Sequence, residues 1–124
     1  MIYLDTHVVI WLYAGLAEQF SARARKLINQ NELAISPIVS LEVQYLHEIG
    51  RITIASDAII SDLQERIGLQ IDGASFATVV TQALALSWTR DPFDRMIVAQ
   101  AQVGNAPLLT KDAAILSHFD AAVW

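Results

Sequence analysis

Four acidic residues, Asp5, Glu42, Asp94 and Asp112, stand where a carboxylate is either an ordinary helix cap or a ligand. Asp5 ends the apolar run Met1 to Leu4 and precedes Thr6, so it lies at the carboxyl end of a predicted strand and the head of a predicted helix. Capping and ligation are both open for it. Glu42 is more telling. In a helix from Pro37 to Ile49, turning once in about 3.6 residues, the apolar stripe comprises Ile38, Val39, Leu41, Val43, Tyr45, Leu46 and Ile49. Glu42 lies four residues after Ile38 and four before Leu46, inside that stripe. An ionised carboxylate there is costly unless a buried Arg or Lys pairs with it or a metal binds it.

Asp94 heads the apolar stripe of a later helix, with Ile97, Val98 and Ala101 following at three, four and seven residues. Its competing role is to complete a capping box with Asp91, although such a box normally carries Glu or Gln at the later position. Asp91 precedes Pro92 and reads as the N-cap, with an outer metal contact as its second reading. Asp112, in Thr110-Lys111-Asp112 after the apolar pair Leu108-Leu109, is by itself an ordinary cap. Gathered in one place, four carboxylates repel one another and some must protonate unless a cation joins them. Magnesium suits such a set, because it takes oxygen ligands, keeps several waters and is often held by few carboxylates and a substrate phosphate. Phosphodiester cleavage with metal-activated water is the chemistry that follows.

The elements that must position these residues alternate. Strands are predicted at Met1 to Leu4, Leu33 to Ile35, Leu69 to Ile71, Pro107 to Leu109 and Val123-Trp124. Helices are predicted over Thr6 to Ala14 (stopped by Gly15), Ser21 to Asn31, and Pro37 to Ile49, the last with Ser36 as cap and Gly50 as stop. Further helices run over Ser56 to Gly68 with Ser56 as cap, Ala74 to Leu86, Pro92 to Val103 stopped by Gly104, and Lys111 to His118. Short apolar strands alternating with amphipathic helices predict an α/β fold, a central parallel sheet of about five strands flanked by helices. In such folds ligands bind at the carboxyl ends of the strands.

The 124 residues fit one domain, 1–124, with no repeat or linker-like stretch. There is no cysteine, which excludes disulfides, thiolate catalysis and cysteine-held zinc and fits a reducing cytoplasm. No apolar run reaches the roughly 20 residues of a membrane span, and the N-terminus lacks the basic segment of a secretory signal. The net charge is -5 and the sequence pI about 4.9. A protein that grips nucleic acid by phosphate neutralisation is usually basic, so any nucleic-acid role here rests on a local site and on metal ions. The hydrophobic fraction, 54%, is high for this size and points to a homo-oligomer or a bound partner. The helix Val8 to Tyr13 is apolar all round; it is either a docking surface or a helix wedged between the sheet and the second helix.

In their order and spacing, Leu4-Asp5-Thr6-His7, Ser36-Pro37 through Ser40-Leu41-Glu42, Arg90 to Arg95 running into Ile97 to Ala101, and Leu109 to Asp112 resemble the PIN-domain family. Within it they are most similar to the VapC-type toxins of type II toxin–antitoxin pairs, and the resemblance covers essentially the whole chain. It implies a PIN-like three-layer sandwich and a Mg2+- or Mn2+-dependent endoribonuclease that hydrolyses single-stranded RNA. Asp5, Glu42, Asp94 and Asp112 match the family's four acidic positions, which makes them the implied metal-holding catalytic residues. Thr6 and Thr110 match the hydroxyl positions beside them. For Thr110 a plain local turn is the competing role.

The resemblance departs at Trp88-Thr89, where relatives often carry a histidine ahead of the position of Arg90. Arg90, Arg95 and Lys111 are candidate RNA contacts, against solvated surface charge. His7 reads as structural, with a base or an RNA contact as alternatives. The family also implies a homodimer and a cognate antitoxin, docking partly on the Val8 to Tyr13 helix and bringing basic residues to the acidic pocket. Two rival functions share these residues. One is a metal-dependent nuclease or phosphatase acting on another phosphate ester. The other is a non-catalytic α/β binding module whose acids are all caps.

Overall fold

The computed structural model describes all of residues 1–124. Its sheet is built from five short strands, β1 (Ile2–Leu4), β2 (Leu33–Ile35), β3 (Gln70–Ile71), β4 (Leu108–Leu109) and β5 (Ala122–Val123). They pair in the order β3-β2-β1-β4-β5, every pair parallel. Tyr3 at the centre lies beside Ala34 on one side and Leu108 on the other. Consecutive residues of β1, β2 and β4 are all buried, so both faces of the sheet are covered, as unbroken apolar strands require.

Seven α-helices supply the cover: α1 (Thr6–Ala14), α2 (Ala22–Gln30), α3 (Pro37–Glu48), α4 (Ser56–Ile67), α5 (Phe76–Ala83), α6 (Pro92–Val103) and α7 (Ala113–His118). α1 packs against α3 and α4, and α6 against α3 and α5. The chain steps outward from β1 to β3, then returns to the centre and steps outward the other way through β4 and β5. The direction therefore reverses between β1 and β4, and a crevice opens at their carboxyl ends, where Asp5 and Thr110 to Asp112 emerge.

Most helix starts are those the sequence signals. Asp5, Ser21, Ser36, Ser75, Asp91 and Asp112 each accept a hydrogen bond from a first-turn amide. Ser56 departs from expectation. Ala55 holds the cap position without a side-chain bond, and Ser56 sits inside α4, where its Oγ donates to the Ser40 carbonyl at 2.8 Å. It ties α4 to α3 instead of starting a helix. The helix expected over Ala74 to Leu86 is trimmed at both ends to Phe76–Ala83, and that expected from Lys111 begins after Asp112. A single 3-10 turn, Ala17–Gln19, had no clear signal in the sequence.

The stripe expected on α3 is also redrawn. Val39 and Val43 are buried, but Leu41, Tyr45 and Ile49 are exposed, so those three do not belong to the core. α1 packs against α3 and α4, where the wedged reading expected the second helix: Val8 and Val9 are buried, and Ile10 to Tyr13 are half covered by the core.

Gly15 ends α1 with φ 69°, a left-handed turn that favours glycine. Gly104 ends α6 for a different reason. Its φ is an ordinary -76°, but a Cβ there would lie 2.9 Å from Cε2 and Cζ of the buried Tyr3 ring. The glycine lets α6 close on the central strand. Gly104→Ala should therefore destabilise the fold by about 1–3 kcal/mol through overpacking. Gly73→Ala, which meets nothing within 4 Å, should stay within about 0.5 kcal/mol of the parent. Urea unfolding of the two variants checks this.

Candidate metal centre

The crevice holds a cavity of about 360 Å³ lined by Asp5, Glu42, Asp91, Asp94 and Asp112, with His7, Val8, Trp11 and Lys111 completing the wall. The four acids singled out in the sequence thus meet in one place, although they come from two strand ends and two helices. Asp5 is the most constrained. It is 8% exposed; its Oδ1 accepts from the Thr6 amide at 2.8 Å and its Oδ2 from Thr110 Oγ1 at 2.7 Å. Burial raises its pKa, and the Thr110 hydroxyl and the Thr6 amide pull in the opposite direction.

Glu42 accepts a short hydrogen bond from the buried Thr6 hydroxyl. It has no cationic partner: the one salt bridge of the protein joins Arg66 and Asp62. That removes the buried Arg or Lys that would have explained Glu42 without a metal. Burial raises its pKa too, and the charges of Asp5 and Asp91 add to the rise against the relief given by Thr6.

Asp94 is the least relieved. Burial comes first, then the negative charges of Asp91, Asp5, Asp112 and Glu42, and no hydrogen bond opposes them; its carboxyl is pushed up to about 7. Asp112 and Asp91 are exposed and do cap helices. Asp112 accepts from the Ile115 amide at 3.0 Å, and Asp91 from the Phe93 amide at 2.8 Å. Thr110 serves both sides, since its Oγ1 donates to Asp5 and accepts from the Asp112 amide at 3.0 Å. Its local turn and its carboxylate contact are therefore the same hydroxyl.

Of the three candidate RNA contacts, Lys111 alone lines the cavity. Arg90 donates to the Ser87 carbonyl at 2.7 Å and Arg95 to the Thr89 carbonyl at 2.9 Å, so both brace the loop ahead of α6 and neither reaches the cavity wall. His7 is exposed at the rim with its ring 6.0 Å from that of Trp11. Trp88 stacks flat on His118, ring centres 4.9 Å apart.

A buried hydrogen-bonded chain outside the expected site runs behind α6. Ser36 Oγ donates to Gln100 Oε1 at 3.1 Å, and Gln100 Nε2 to Asp72 Oδ2 at 2.7 Å. It pins the middle of α6 to the ends of β2 and β3. A glutamine amid Ile97, Val98, Ala99 and Ala101 was its visible signal.

The donors facing the cavity are chiefly carboxylate oxygens, a hard set suited to Mg2+ or Mn2+. No three of them close on one point tightly enough to form a ready-made cage. A cation that keeps part of its water shell fits such a site better than one that must be fully wrapped. Asp94, whose carboxyl has neither a hydrogen bond nor a cationic partner, is where a cation would relieve most.

A family model described as PIN domain matches residues 2–121. The chain belongs to the PIN-domain family. Among curated proteins it is 33% identical over 118 residues to Ribonuclease VapC22 of Mycobacterium tuberculosis, which covers 93% of this chain and 89% of that one. Its fold is shared with chains of solved toxin–antitoxin assemblies. A toxin–antitoxin complex from Klebsiella pneumoniae matches with TM-score 0.67 and 18% identity over 100% of this chain and 97% of the other. VapBC2 from Rickettsia felis, solved with a promoter DNA fragment, matches with TM-score 0.67 and 22% identity over 94% and 92%.

The carboxyl of Asp94 makes a PIN domain without metal sensitive to pH in a definite direction. Its folded pKa, about 7, lies above the unfolded value of 3.8, so between those values the folded state holds more proton than the unfolded one. That contribution is full below pH 4 and is lost as pH rises through 7. In chelator, the melting temperature of Asp94→Asn should therefore gain on that of the parent as pH rises from 5 to about 7.5. Added Mg2+ should raise the parent's melting temperature near neutral pH and Asp94→Asn's by less. Scanning calorimetry on both proteins reads each effect.

Proposed function

We propose that this chain is a divalent-metal-dependent endoribonuclease, the toxin of a VapBC-type toxin–antitoxin pair, which hydrolyses phosphodiester bonds in single-stranded RNA. One observation carries the reading. Asp5, Asp91 and Asp112 cap helices, as a non-catalytic module would have them do, but Glu42 and Asp94 cap nothing, have no cationic partner and still face the same cavity. Capping leaves these two unexplained. The 33% identity to a named ribonuclease favours RNA over other phosphate esters as the substrate.

In this reading residues 1–124 are one PIN domain. Asp5, Glu42 and Asp94 hold Mg2+ or Mn2+ directly or through water, and Asp112 closes the site. When bound, the ion supplies an acidified water and offsets charge on the phosphate oxygens. The chain's own residues do the positioning. Thr110 Oγ1 and the Thr6 amide each occupy one oxygen of Asp5, which fixes the plane of that carboxylate. Thr6 Oγ1 does the same for Glu42. Lys111 is the lysine at the cavity wall and is placed to meet an RNA phosphate. Asp91 supports the site by capping α6 and so setting the position of Asp94.

An antitoxin is the protein partner, reaching the half-covered end of the Val8 to Tyr13 helix and offering basic residues to the acidic cavity. The solved VapBC assemblies of like fold support it. A homodimer accounts for the apolar surface left on α3 and α5, where Leu41, Tyr45, Ile49 and Phe76, the last 74% exposed, lie open. No helix is long and apolar enough to cross a membrane. We place its action in the cytoplasm, with its RNA.

The test is cleavage of an unstructured RNA with added Mg2+. Asp94→Asn should lower kcat/KM by about 100-fold or more, the scale of losing several kcal/mol of charge stabilisation. Chelator should abolish the reaction. Single-stranded DNA and a phosphomonoester should be poor substrates; preference for either sinks the RNA reading, and undiminished activity in Asp94→Asn sinks the site.

A further inference from the structure

Trp11 belongs to two cavities. On one side it lines the acidic cavity with His7 and Lys111. On the other it lines a slot of about 280 Å³ between α1 and α2, with Leu12, Leu16, Phe20, Arg25 and Asn29 among its walls. The acidic cavity and the slot thus share one indole ring as a wall. Phe20, itself a wall of the slot, and Trp124 meet that ring edge to face, at 6.2 and 5.8 Å. Lys111 Nζ lies 5.8 Å from its centre and 6.0 Å from that of Trp124, and is steadied by Gln19 Oε1 at 3.4 Å. A cation, a fixed indole and an apolar slot with polar groups at its rim therefore follow one another, beginning at the carboxylates.

An acidic protein cannot hold RNA by long-range charge. Its affinity has to come from local contacts, and stacking of unpaired bases on aromatic rings is the strongest of these that is indifferent to net charge. We propose that the slot beside Trp11 is a nucleobase subsite. It takes the unpaired base of a nucleotide adjoining the scissile phosphate, while Lys111 contacts the phosphate between them. The proposal rests on the endoribonuclease reading and adds to it a requirement: the RNA must be unpaired at that one position. Asn29 at the polar edge of the slot also offers a donor to the rim of a base, beside the Arg25 guanidinium that donates to the Ala17 carbonyl at 2.6 Å.

The experiment measures binding, so that it stays separate from cleavage. Fluorescence anisotropy of a labelled, unstructured RNA is followed with calcium in place of magnesium, using the intact RNA and versions made abasic at one position at a time. Trp11→Ala should weaken binding of the intact RNA by about 5- to 150-fold, and Trp11→Phe by much less. At one position the abasic RNA should lose a similar factor with the parent protein and almost nothing further with Trp11→Ala, because both changes remove the same contact. Ala17→Phe, which fills the slot from its exposed rim, should reproduce the loss even if Trp11→Ala fails to fold. Unchanged RNA affinity in Ala17→Phe, or losses that multiply at every abasic position, overturns the subsite and leaves the slot to a protein partner. Absence of cleavage by the parent protein in magnesium would instead strike the function itself.

Discussion

Negative charge that the protein itself does not neutralise is the constraint around which this structure is arranged. Asp5, Glu42 and Asp94 are drawn into one cavity at the reversal point of a parallel sheet, and the protein's single salt bridge lies elsewhere. In a stable domain such a cluster persists only if something offsets it. Hydrogen bonds do so for Asp5 and Glu42, through Thr6 and Thr110. The starts of α1, α6 and α7 also meet at this cavity through their capping residues Asp5, Asp91 and Asp112, and bring the positive ends of their backbone dipoles with them. Capping and charge relief are therefore one arrangement: the acids that start the helices are the acids those helix starts help to hold.

This dual use explains what the sequence made legible and what it hid. Asp91-Pro92 and Ser36-Pro37 announced α6 and α3 because capping is local chemistry, written in adjacent residues. The alternation of apolar strands with helices likewise made a five-stranded parallel sheet readable. Glu42 was singled out for a reason only half right. Of the apolar residues that framed it, Leu41, Tyr45 and Ile49 face solvent, and Val39 and Val43 face the core. Glu42 lies on the border between those faces, where α3 forms the lip of the cavity. Periodicity finds a misplaced charge, but cannot tell a core from a cavity or from an unpartnered surface, because all three are apolar in sequence.

What stayed hidden depends on distant residues. Nothing near Ser56 tells that its hydroxyl is taken by the Ser40 carbonyl, and nothing near Gly104 tells that Tyr3 occupies the space of its missing side chain. Arg90 and Arg95 looked like phosphate contacts because they flank the acids in sequence. Their guanidinium groups turn back onto the carbonyls of residues 87 and 89, which leaves Lys111 as the lysine at the cavity wall. Proximity along the chain was a poor guide here, since α6 carries Asp94 inward on one face and Arg95 away from the cavity on the next.

The acids are also unequal, and the inequality has a consequence. Asp5 is gripped on both oxygens and nearly excluded from water, so its orientation is set before any ligand arrives. Asp94 receives no hydrogen bond on its carboxyl and feels four negative neighbours, so its charge rather than its direction is the variable quantity. A divalent ion held there, as proposed, would displace a proton from Asp94 near neutral pH but would not need to reorient Asp5. Assembly of the proposed site would then be chiefly an exchange of a proton for a cation on a rigid frame. That frame is supplied by Thr6, Thr110 and the Ser36–Gln100–Asp72 chain behind α6, which hold the carboxylates in place against their own repulsion.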